Sequence, residues 1–317
     1  MRTGRAMRER LYLAGFLVVA GVLLYVGRGL LQDSILVTWA LTFGGTTAAG
    51  VLGMALYRVQ LELRASRHEL ARKQAELNFA REVQEALFPR DFPADGGLEF
   101  SAVCLPASGI SGDYYDVMTI AEGRLAFAIA DISGKGISAA ILMSNLHAVL
   151  RTLAAAGNSP CAICRQLNRH LREVTGGYRF ATLFYAEWNS AEQTLRYINA
   201  GHNAPILLGV NGVRRLQAGC PPIGIMTEGE YHEEYLAFQP GDTLVLFSDG
   251  VTEAGQAKDN EFGESRLEAL VVAARKDPLA RIQERVLAAL RDWAGSELED
   301  DATLLLVRAR GERREAA

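Results

Sequence analysis

The chain is poor in the residues that form soft-metal sites. Its 317 residues include only four cysteines and five histidines, and no group of them has the spacing of a zinc or copper site. Cys161 and Cys164 form one CxxC pair directly after Pro160, where packing of a helix start is the simpler interpretation and a redox or zinc role the alternative. The formal net charge of −4 comes without a basic stripe, so the sequence gives no indication of nucleic-acid binding.

Charged side chains are absent from two N-terminal stretches. Residues 11–27 and 35–57 contain no Asp, Glu, Lys or Arg, and each approaches the roughly 20 residues that a helix needs to cross a bilayer. We therefore predict a membrane hairpin within residues 1–57. A cleaved signal peptide is the alternative for the first stretch, but no small-residue cleavage site follows it and a second apolar stretch soon begins.

Basic residues flank the predicted hairpin at both ends. Four arginines precede the first stretch and several Arg and Lys residues follow the second, whereas the short connection carries one arginine and one aspartate. The positive-inside rule then places both termini in the cytoplasm. The sequence predicts a multi-pass protein of the inner or plasma membrane.

Residues 58–90 are predicted to form a helical linker. The segment 58–88 contains no Gly or Pro, and Leu63, Leu70 and Leu77 recur at intervals of seven. The positions three residues later are not consistently apolar, so the seam is weak as a coiled coil. A signalling helix that joins two copies into a homodimer and a solvated spacer are both open interpretations.

Short strand-like runs begin near residue 98 and continue to the end of the chain. Two long helical stretches, and a third near residues 264–293, interrupt them. Strands gathered in hairpins around paired helices favour an α+β sandwich over a parallel sheet. We assign residues 91–309 to this globular domain and expect residues 310–317 to form a disordered tail.

Four aspartates follow or begin apolar runs next to glycine-rich turns. They are Asp113 in ISGDYYDV, Asp131 in LAFAIADISGKG, Asp249 in TLVLFSDGVTEAG and Asp300 in EDDATLLLVR. Carboxylate oxygens are the ligands that Mg²⁺ and Mn²⁺ prefer. Because clustered carboxylates repel one another unless a cation is bound, the pattern predicts a site for divalent metal that acts on a phosphate.

Six motifs follow one another in order across residues 82–308: SGDYYDV, ADISGKGISAAILMS, NAGHNAP, PPIGI, LFSDGVTEA and DDATLLLVR. With REVQEALFP before them, they resemble the SpoIIE/RsbU-type branch of the PPM, or PP2C-like, serine/threonine phosphatases. The resemblance implies a four-layer α-β-β-α sandwich with two Mn²⁺ or Mg²⁺ ions at one end of its sheets. It also implies hydrolysis of phosphoserine or phosphothreonine on a cytoplasmic protein, typically a STAS-type anti-sigma-factor antagonist.

The resemblance implies roles for particular residues. Asp131 and Asp249 would be the catalytic metal ligands, with Asp131 bridging the two ions. Asp113, Asp300 and the backbone carbonyl of Ile132 would complete the metal site. Two bound ions would allow in-line attack by an activated water without a phosphoenzyme.

The residues that meet the substrate are less sharply defined by the sequence. Gly134 and Lys135 are candidates for binding the phosphate, although a solvated lysine is an equal alternative. Ser133 stands where eukaryotic-type relatives have a histidine that protonates the leaving group. His202 is a candidate for that acid, and the competing interpretation is a structural histidine in a turn.

Two other functions remain open from the sequence. A membrane-tethered nucleotide cyclase would explain the similarity of SGDYYD to a GGDEF signature but not the three later aspartates. A pseudophosphatase that only binds a phosphorylated partner would be expected to have lost a metal ligand, and all four aspartates are present.

Overall fold

The computed structural model describes residues 18–22, 24–25, 27, 35–94, 96–210, 212–255, 260–295 and 298–311. The chain divides into two compact units, Met1–Gln74 and Ala75–Ala317. Residues 18–22 of the first predicted membrane stretch are helical, and the stretch otherwise lies mostly outside the described residues. Residues 312–317 of the predicted tail also lie outside them.

One long helix, α1 (Ile35–Glu85), contains both the second apolar stretch and nearly all of the predicted linker. Its apolar part is long enough to cross a membrane and none of that part is buried. Trp39 and Phe43 are among its exposed large side chains. So large an exposed apolar surface is typical of a segment that contacts lipid or another protein.

The second unit contains two antiparallel sheets of five strands each. The first sheet has the order β1-β10-β9-β6-β7 and the second β2-β3-β4-β5-β8. The strands are β1 (Leu98–Leu105), β2 (Asp113–Ala121), β3 (Arg124–Ile132), β4 (Ala181–Asn189), β5 (Thr194–Ala200), β6 (Ile206–Gly209), β7 (Gly212–Arg215), β8 (Glu234–Ala237), β9 (Thr243–Phe247) and β10 (Ala302–Ala309).

Among the described residues five further helices accompany the strands: α2 (Ile137–Ala155), α3 (Pro160–Thr175), α4 (Asp249–Thr252), α5 (Glu264–Ala273) and α6 (Leu279–Ala294). The predicted helical stretch near 264–293 is thus two helices. Pro278 stands directly before α6, where its fixed φ and missing N–H suit a helix start and not a helix interior.

The buried apolar side chains form three clusters, one between the two sheets and one on the outer side of each sheet. Phe127, Ile129 and Phe184 lie in a cluster with Leu246 and Leu305, which joins the facing sides of the two sheets. The opposite side of the second sheet packs under α2 and α3, and the opposite side of the first sheet packs under α5 and α6. Because successive residues of a strand face opposite sides, this pattern gives the predicted four-layer α-β-β-α sandwich.

Helix α2 is also long and apolar enough to cross a membrane. Its Met143, Leu146 and Leu150 are nevertheless buried in the cluster that covers the second sheet. The apolar face of α2 therefore belongs to the core of the domain.

A partly buried ion pair fixes α2 on β2. The carboxylate of Asp116 is fully buried and accepts two hydrogen bonds from Arg151, at 2.6 Å from Nε and 2.7 Å from Nη2. The hydroxyl of Tyr114 also donates to Asp116, at 2.8 Å. Bidentate pairing of this kind fixes orientation as well as charge, so α2 is held in one position beside the hairpin that carries Asp113 and Asp131.

Candidate active site

Asp113 and Asp131 lie opposite each other in the hairpin formed by β2 and β3. Asp113 begins β2, and its partner in the antiparallel register is Asp131, one residue before the end of β3. Side chains directly opposite in such a pair are about 5 Å apart at Cβ. The register therefore places two carboxylates side by side at one end of the second sheet.

Ser248 connects this end of the hairpin to the first sheet. Its hydroxyl donates to Oδ2 of Asp113 at 2.6 Å, and it accepts from the backbone N–H of Thr303 at 2.9 Å. Ser248 directly precedes Asp249, and Thr303 lies just after Asp300 in the chain. All four predicted aspartates are thus brought to the same end of the sandwich.

The charges of the four carboxylates act on one another. The pKa of Asp131 is raised to about 7, first by burial and then by the charges of Asp249 and Asp300. Burial, followed by the charge of Asp131, raises the pKa of Asp113 well above its usual range. Burial and the charge of Asp300 likewise raise the pKa of Asp249. Because burial and mutual repulsion destabilise the ionised carboxylates, binding of divalent cations at this site would be favourable.

Side chains outside the four aspartates hold Asp300 and Asp113. Asp300 pairs with Lys135, whose Nζ lies 2.8 Å from Oδ2 of Asp300 and also donates to the carbonyl of Glu299 at 2.9 Å. Asp113 is held by Ser248. In the described part of the chain no three Asp, Glu, His or Cys side chains converge on one point as ligands of a single ion. Binding of metal would therefore require these side chains to rotate towards a common centre.

Glycines allow close approach where the strands end. A Cβ on Gly112 would lie 3.3 Å from the carbonyl oxygen of Ile132 and 3.2 Å from Cβ of Ala139. Gly134 has φ +102°, a conformation that favours glycine. Ile132 is therefore placed next to the residue that precedes Asp113, at the same end of the hairpin as the carboxylates.

Asp301 holds the loop that leads into Asp113. Its two carboxylate oxygens accept from the backbone N–H groups of Ala107 at 2.8 Å and Gly112 at 2.7 Å. Gln84, near the end of α1, makes a second pair of bonds to the same loop: it donates to the carbonyl of Ser111 at 2.7 Å and accepts from its N–H at 2.8 Å. The carboxamide of Gln84 and the carboxylate of Asp301 therefore both fix the backbone of this loop.

Ser133 is hydrogen bonded to the two residues that precede β4. Its hydroxyl accepts from the N–H of Phe180 at 2.9 Å, and its carbonyl accepts from Nη1 of Arg179 at 2.7 Å. The guanidinium of Arg179 lies so close to Gly134 that a Cβ there would overlap Nη1. Arg179 thus adds a positive charge next to the Gly134–Lys135 turn.

His202 lies inside the fold. The side chain is buried, and its Nδ1 shares a hydrogen bond with the hydroxyl of Thr182 at 2.9 Å. The backbone N–H of His202 donates to Oδ1 of Asn199 at 2.8 Å. Burial lowers the pKa of its imidazole to about 4, so the ring is neutral near pH 7. These features fit the structural interpretation of His202 better than the role of an acid.

Sequence reasoning missed Ser248, Gln84 and Arg179. Ser248 and Gln84 lie inside the motifs LFSDGVTEA and REVQEALFP, so their presence in those motifs was the available signal. Arg179 lies outside every quoted motif and carries no local pattern. Its position depends on the pairing of β4 with β3, which is a contact between distant parts of the chain.

Comparison with known proteins identifies the family. The family model for stage II sporulation protein E (SpoIIE) matches residues 121–310. The chain is 31% identical over 263 residues to phosphoserine phosphatase RsbU of Bacillus subtilis, covering 81% of this chain and 75% of RsbU. Membership of this family favours the phosphatase over the nucleotide cyclase.

Solved structures agree with the fold. The SiaA-PP2C domain of Pseudomonas aeruginosa superposes with a TM-score of 0.68 at 22% identity, covering 75% of this chain and 98% of that domain. The RsbU and RsbW domains of Rv1364c from Mycobacterium tuberculosis give a TM-score of 0.61 at 24% identity, covering 69% of this chain and 62% of that one. The predicted sandwich and the predicted enzyme class are confirmed, and the chain belongs to the SpoIIE family of PP2C-like phosphatases.

Proposed function

We propose that this chain is a membrane-anchored, Mn²⁺- or Mg²⁺-dependent phosphatase that removes phosphate from serine or threonine of a cytoplasmic regulatory protein. The observation that carries the proposal is that Asp113, Asp131, Asp249 and Asp300 lie at the same end of the two sheets. We assign the substrate to STAS-type antagonists of anti-sigma factors. The likeness to RsbU, and to a protein in which RsbU and RsbW domains occur together, supports this class.

The carboxylates fit a pair of hard cations. Asp131 and Asp249, with Asp300, Asp113 and the carbonyl of Ile132, would hold the ions. Bound ions would supply Lewis acidity towards a phosphoryl oxygen and would acidify an attacking water. The carboxylate and carbonyl oxygens of these residues suit Mg²⁺ or Mn²⁺ and not a softer metal.

The remaining residues position the site and the substrate. Ser248 orients Asp113, and Asp301 holds the loop before it. Lys135 and Arg179 place positive charge beside the Gly134 turn, where the dianionic phosphate of a substrate would be attracted. The hydroxyl of Ser133 is already bonded to the N–H of Phe180, and His202 is buried. We therefore assign water as the donor of the proton that the departing serine oxygen takes up.

The anchor is assigned to residues 1–57 as a membrane hairpin, followed by a linker at 58–90 and the phosphatase domain at 91–309. The exposed apolar surface in the first half of α1 supports this assignment. We place both termini in the cytoplasm, because basic residues flank the apolar stretches on their outer sides. The linker also offers a surface through which two copies could pair.

We propose that the linker controls the metal site through Gln84. Replacing Gln84 with alanine removes both bonds to Ser111 and leaves buried backbone groups unpaired, at a cost of about 1–3 kcal/mol. The loop before Asp113 should loosen, and the Mn²⁺ concentration for half-maximal activity should rise about tenfold. Glu85→Ala, which loses only an exposed pair with Arg81, is the control. Equal Mn²⁺ dependence of the two variants would refute the link.

The substrate class is tested with the full-length chain in mild detergent. We expect it to release phosphate from a serine-phosphorylated STAS-domain protein with Mn²⁺ and to stop when EDTA is added, because the carboxylates alone cannot activate water. A tyrosine-phosphorylated peptide serves as the comparison and should react far more slowly. Failure to act on the phosphoserine protein, with activity on small phosphate esters intact, would contradict the assigned substrate class.

A further inference from the structure

An exposed apolar stripe crosses α2, α3 and the turn that follows α3. Its members are Ile137, Ile141, Val174 and Tyr178, with exposed fractions of 55%, 63%, 54% and 91%. Scattered single apolar residues on a surface are ordinary. A contiguous set of large ones marks a surface that contacts another molecule.

The stripe is contiguous because of the register between the two helices. Residues 156–159 connect α2 to α3, so the helices run antiparallel, and a 2.7 Å hydrogen bond joins Asn145 of α2 to His170 of α3. Moving one turn along each helix from this pair places Ile141 beside Val174. Beyond the end of α3, Arg179 and Phe180 are bonded to Ser133, which brings the turn that contains Tyr178 close to the start of α2 at Ile137.

The stripe is continuous with the candidate active site. Ile137 lies two residues after Lys135, whose amine contacts Asp300. At the other end, Tyr178 is followed by Arg179, which is bonded to the carbonyl of Ser133. Any folded protein that inserts a phosphorylated side chain at the Gly134 turn must therefore cover part of this stripe.

The charges around the stripe also match a phosphorylated partner. Lys135 and Arg179 lie between the stripe and the carboxylates, and both are cationic. Apolar contact flanked by cations suits a protein surface whose phosphoserine is surrounded by apolar side chains.

We propose that the stripe of Ile137, Ile141, Val174 and Tyr178 is the docking surface for the folded phosphoprotein substrate. This inference rests on the proposed phosphatase function and adds the surface that selects the substrate. A second copy of the chain seated on the stripe would cover the cations beside the Gly134 turn and obstruct the site. The position of the stripe therefore favours a substrate over a permanent partner.

The test compares two substrates with one variant of the full-length chain. Ile141→Gln/Val174→Gln removes two exposed aliphatic side chains of the stripe. Val210→Gln/Val213→Gln is the matched control, because those valines are also exposed but lie at the β6–β7 hairpin of the other sheet. The quantity measured is kcat/KM for a serine-phosphorylated STAS-domain protein divided by kcat/KM for p-nitrophenyl phosphate.

We expect this ratio to be at least about tenfold lower in the stripe variant, because truncating side chains that are buried in an interface weakens binding by about that much or more. The change should appear as a higher KM for the phosphoprotein. The control should leave the ratio within about twofold, since its valines lie outside the proposed contact. An unchanged ratio in the stripe variant overturns the proposal. So does a fall in its oligomeric state by light scattering, which would assign the stripe to a second copy.

The same assay separates this inference from the proposed function. If the unaltered chain hydrolyses neither substrate with Mn²⁺, the phosphatase function itself fails and the docking surface fails with it. If the unaltered chain hydrolyses p-nitrophenyl phosphate but not the phosphoprotein, catalysis stands and the docking of this partner is refuted.

Discussion

Asp131→Asn should abolish turnover and at the same time stabilise the metal-free protein. Asp131 is a proposed metal ligand, so its loss would remove Lewis-acid stabilisation worth several kcal/mol. Since each 1.36 kcal/mol is a factor of ten in rate, activity should fall on the order of a thousandfold or more. In the absence of metal, by contrast, the substitution removes a carboxylate that burial and the charges of Asp249 and Asp300 disfavour.

The raised pKa of Asp131 determines how the stability of the metal-free protein changes with pH. Burial and the neighbouring carboxylates raise the pKa of Asp131 from its ordinary value of 3.8 to about 7 in the folded protein. Between these values the folded state binds more protons than the unfolded state, so the stability of the metal-free protein should fall as pH rises from about 4 to about 7. In Asp131→Asn that contribution to the pH dependence should disappear.

The measurement is a set of thermal melts in EDTA at pH 5 and pH 7.5, with phosphate release measured in Mn²⁺. Asp292→Asn in α6 is the control, because it also removes one carboxylate but the side chain of Asp292 is exposed. A lower melting temperature of Asp131→Asn than of the unaltered chain in EDTA at pH 7.5 would contradict the account of charge repulsion. Retained turnover in Mn²⁺ would remove Asp131 from the metal site.

Gly250→Ala should disrupt the site without removing any ligand. An added Cβ would lie 2.2 Å from the carbonyl oxygen of Asp301 and 2.8 Å from its carbonyl carbon. Both atoms are backbone, so the start of α4 and the segment before β10 must separate. Overpacking of this kind costs about 1–3 kcal/mol or more, and it would move Asp249 and Asp300 apart. We expect activity to fall about a hundredfold and the required Mn²⁺ concentration to rise.

Urea denaturation and Mn²⁺ titration of activity would measure both effects of Gly250→Ala. Gly53→Ala in α1 is the matched control, because a Cβ there meets nothing within 4 Å. If the two variants have the same unfolding midpoint and the same Mn²⁺ dependence, the segments around Gly250 can separate without affecting the metal ligands. The close packing described at this end of the sheets would then not be needed for function.

Much of the fold could be predicted from local patterns. Strand-like alternation and the two long helical stretches give the α+β sandwich, and the four aspartates could be found because each lies at the edge of an apolar run. The apolar stretch 35–57 and most of the charged segment 58–88 lie within the single helix α1. The change from apolar to charged composition marks a change of environment, and it does not interrupt helical hydrogen bonding.

The parts of the site that could not be predicted depend on contacts between distant residues. Ser248 reaches Asp113 across 135 positions of sequence, and Gln84 reaches Ser111 across 27. The ion pair of Lys135 with Asp300 likewise needs the two sheets to meet. No local period or spacing encodes such pairs, because they follow from how the sheets pack.

Phosphate release is the measurement that tests the metal-dependent phosphatase most directly. The full-length chain and its Asp249→Asn variant would be compared on a serine-phosphorylated STAS-domain protein across a range of Mn²⁺ concentrations, with EDTA as the blank. We predict release by the unaltered chain that saturates with Mn²⁺, and release near the blank for the variant at every concentration. Equal release by the two proteins, or release that persists in EDTA, would contradict catalysis at this cluster of aspartates.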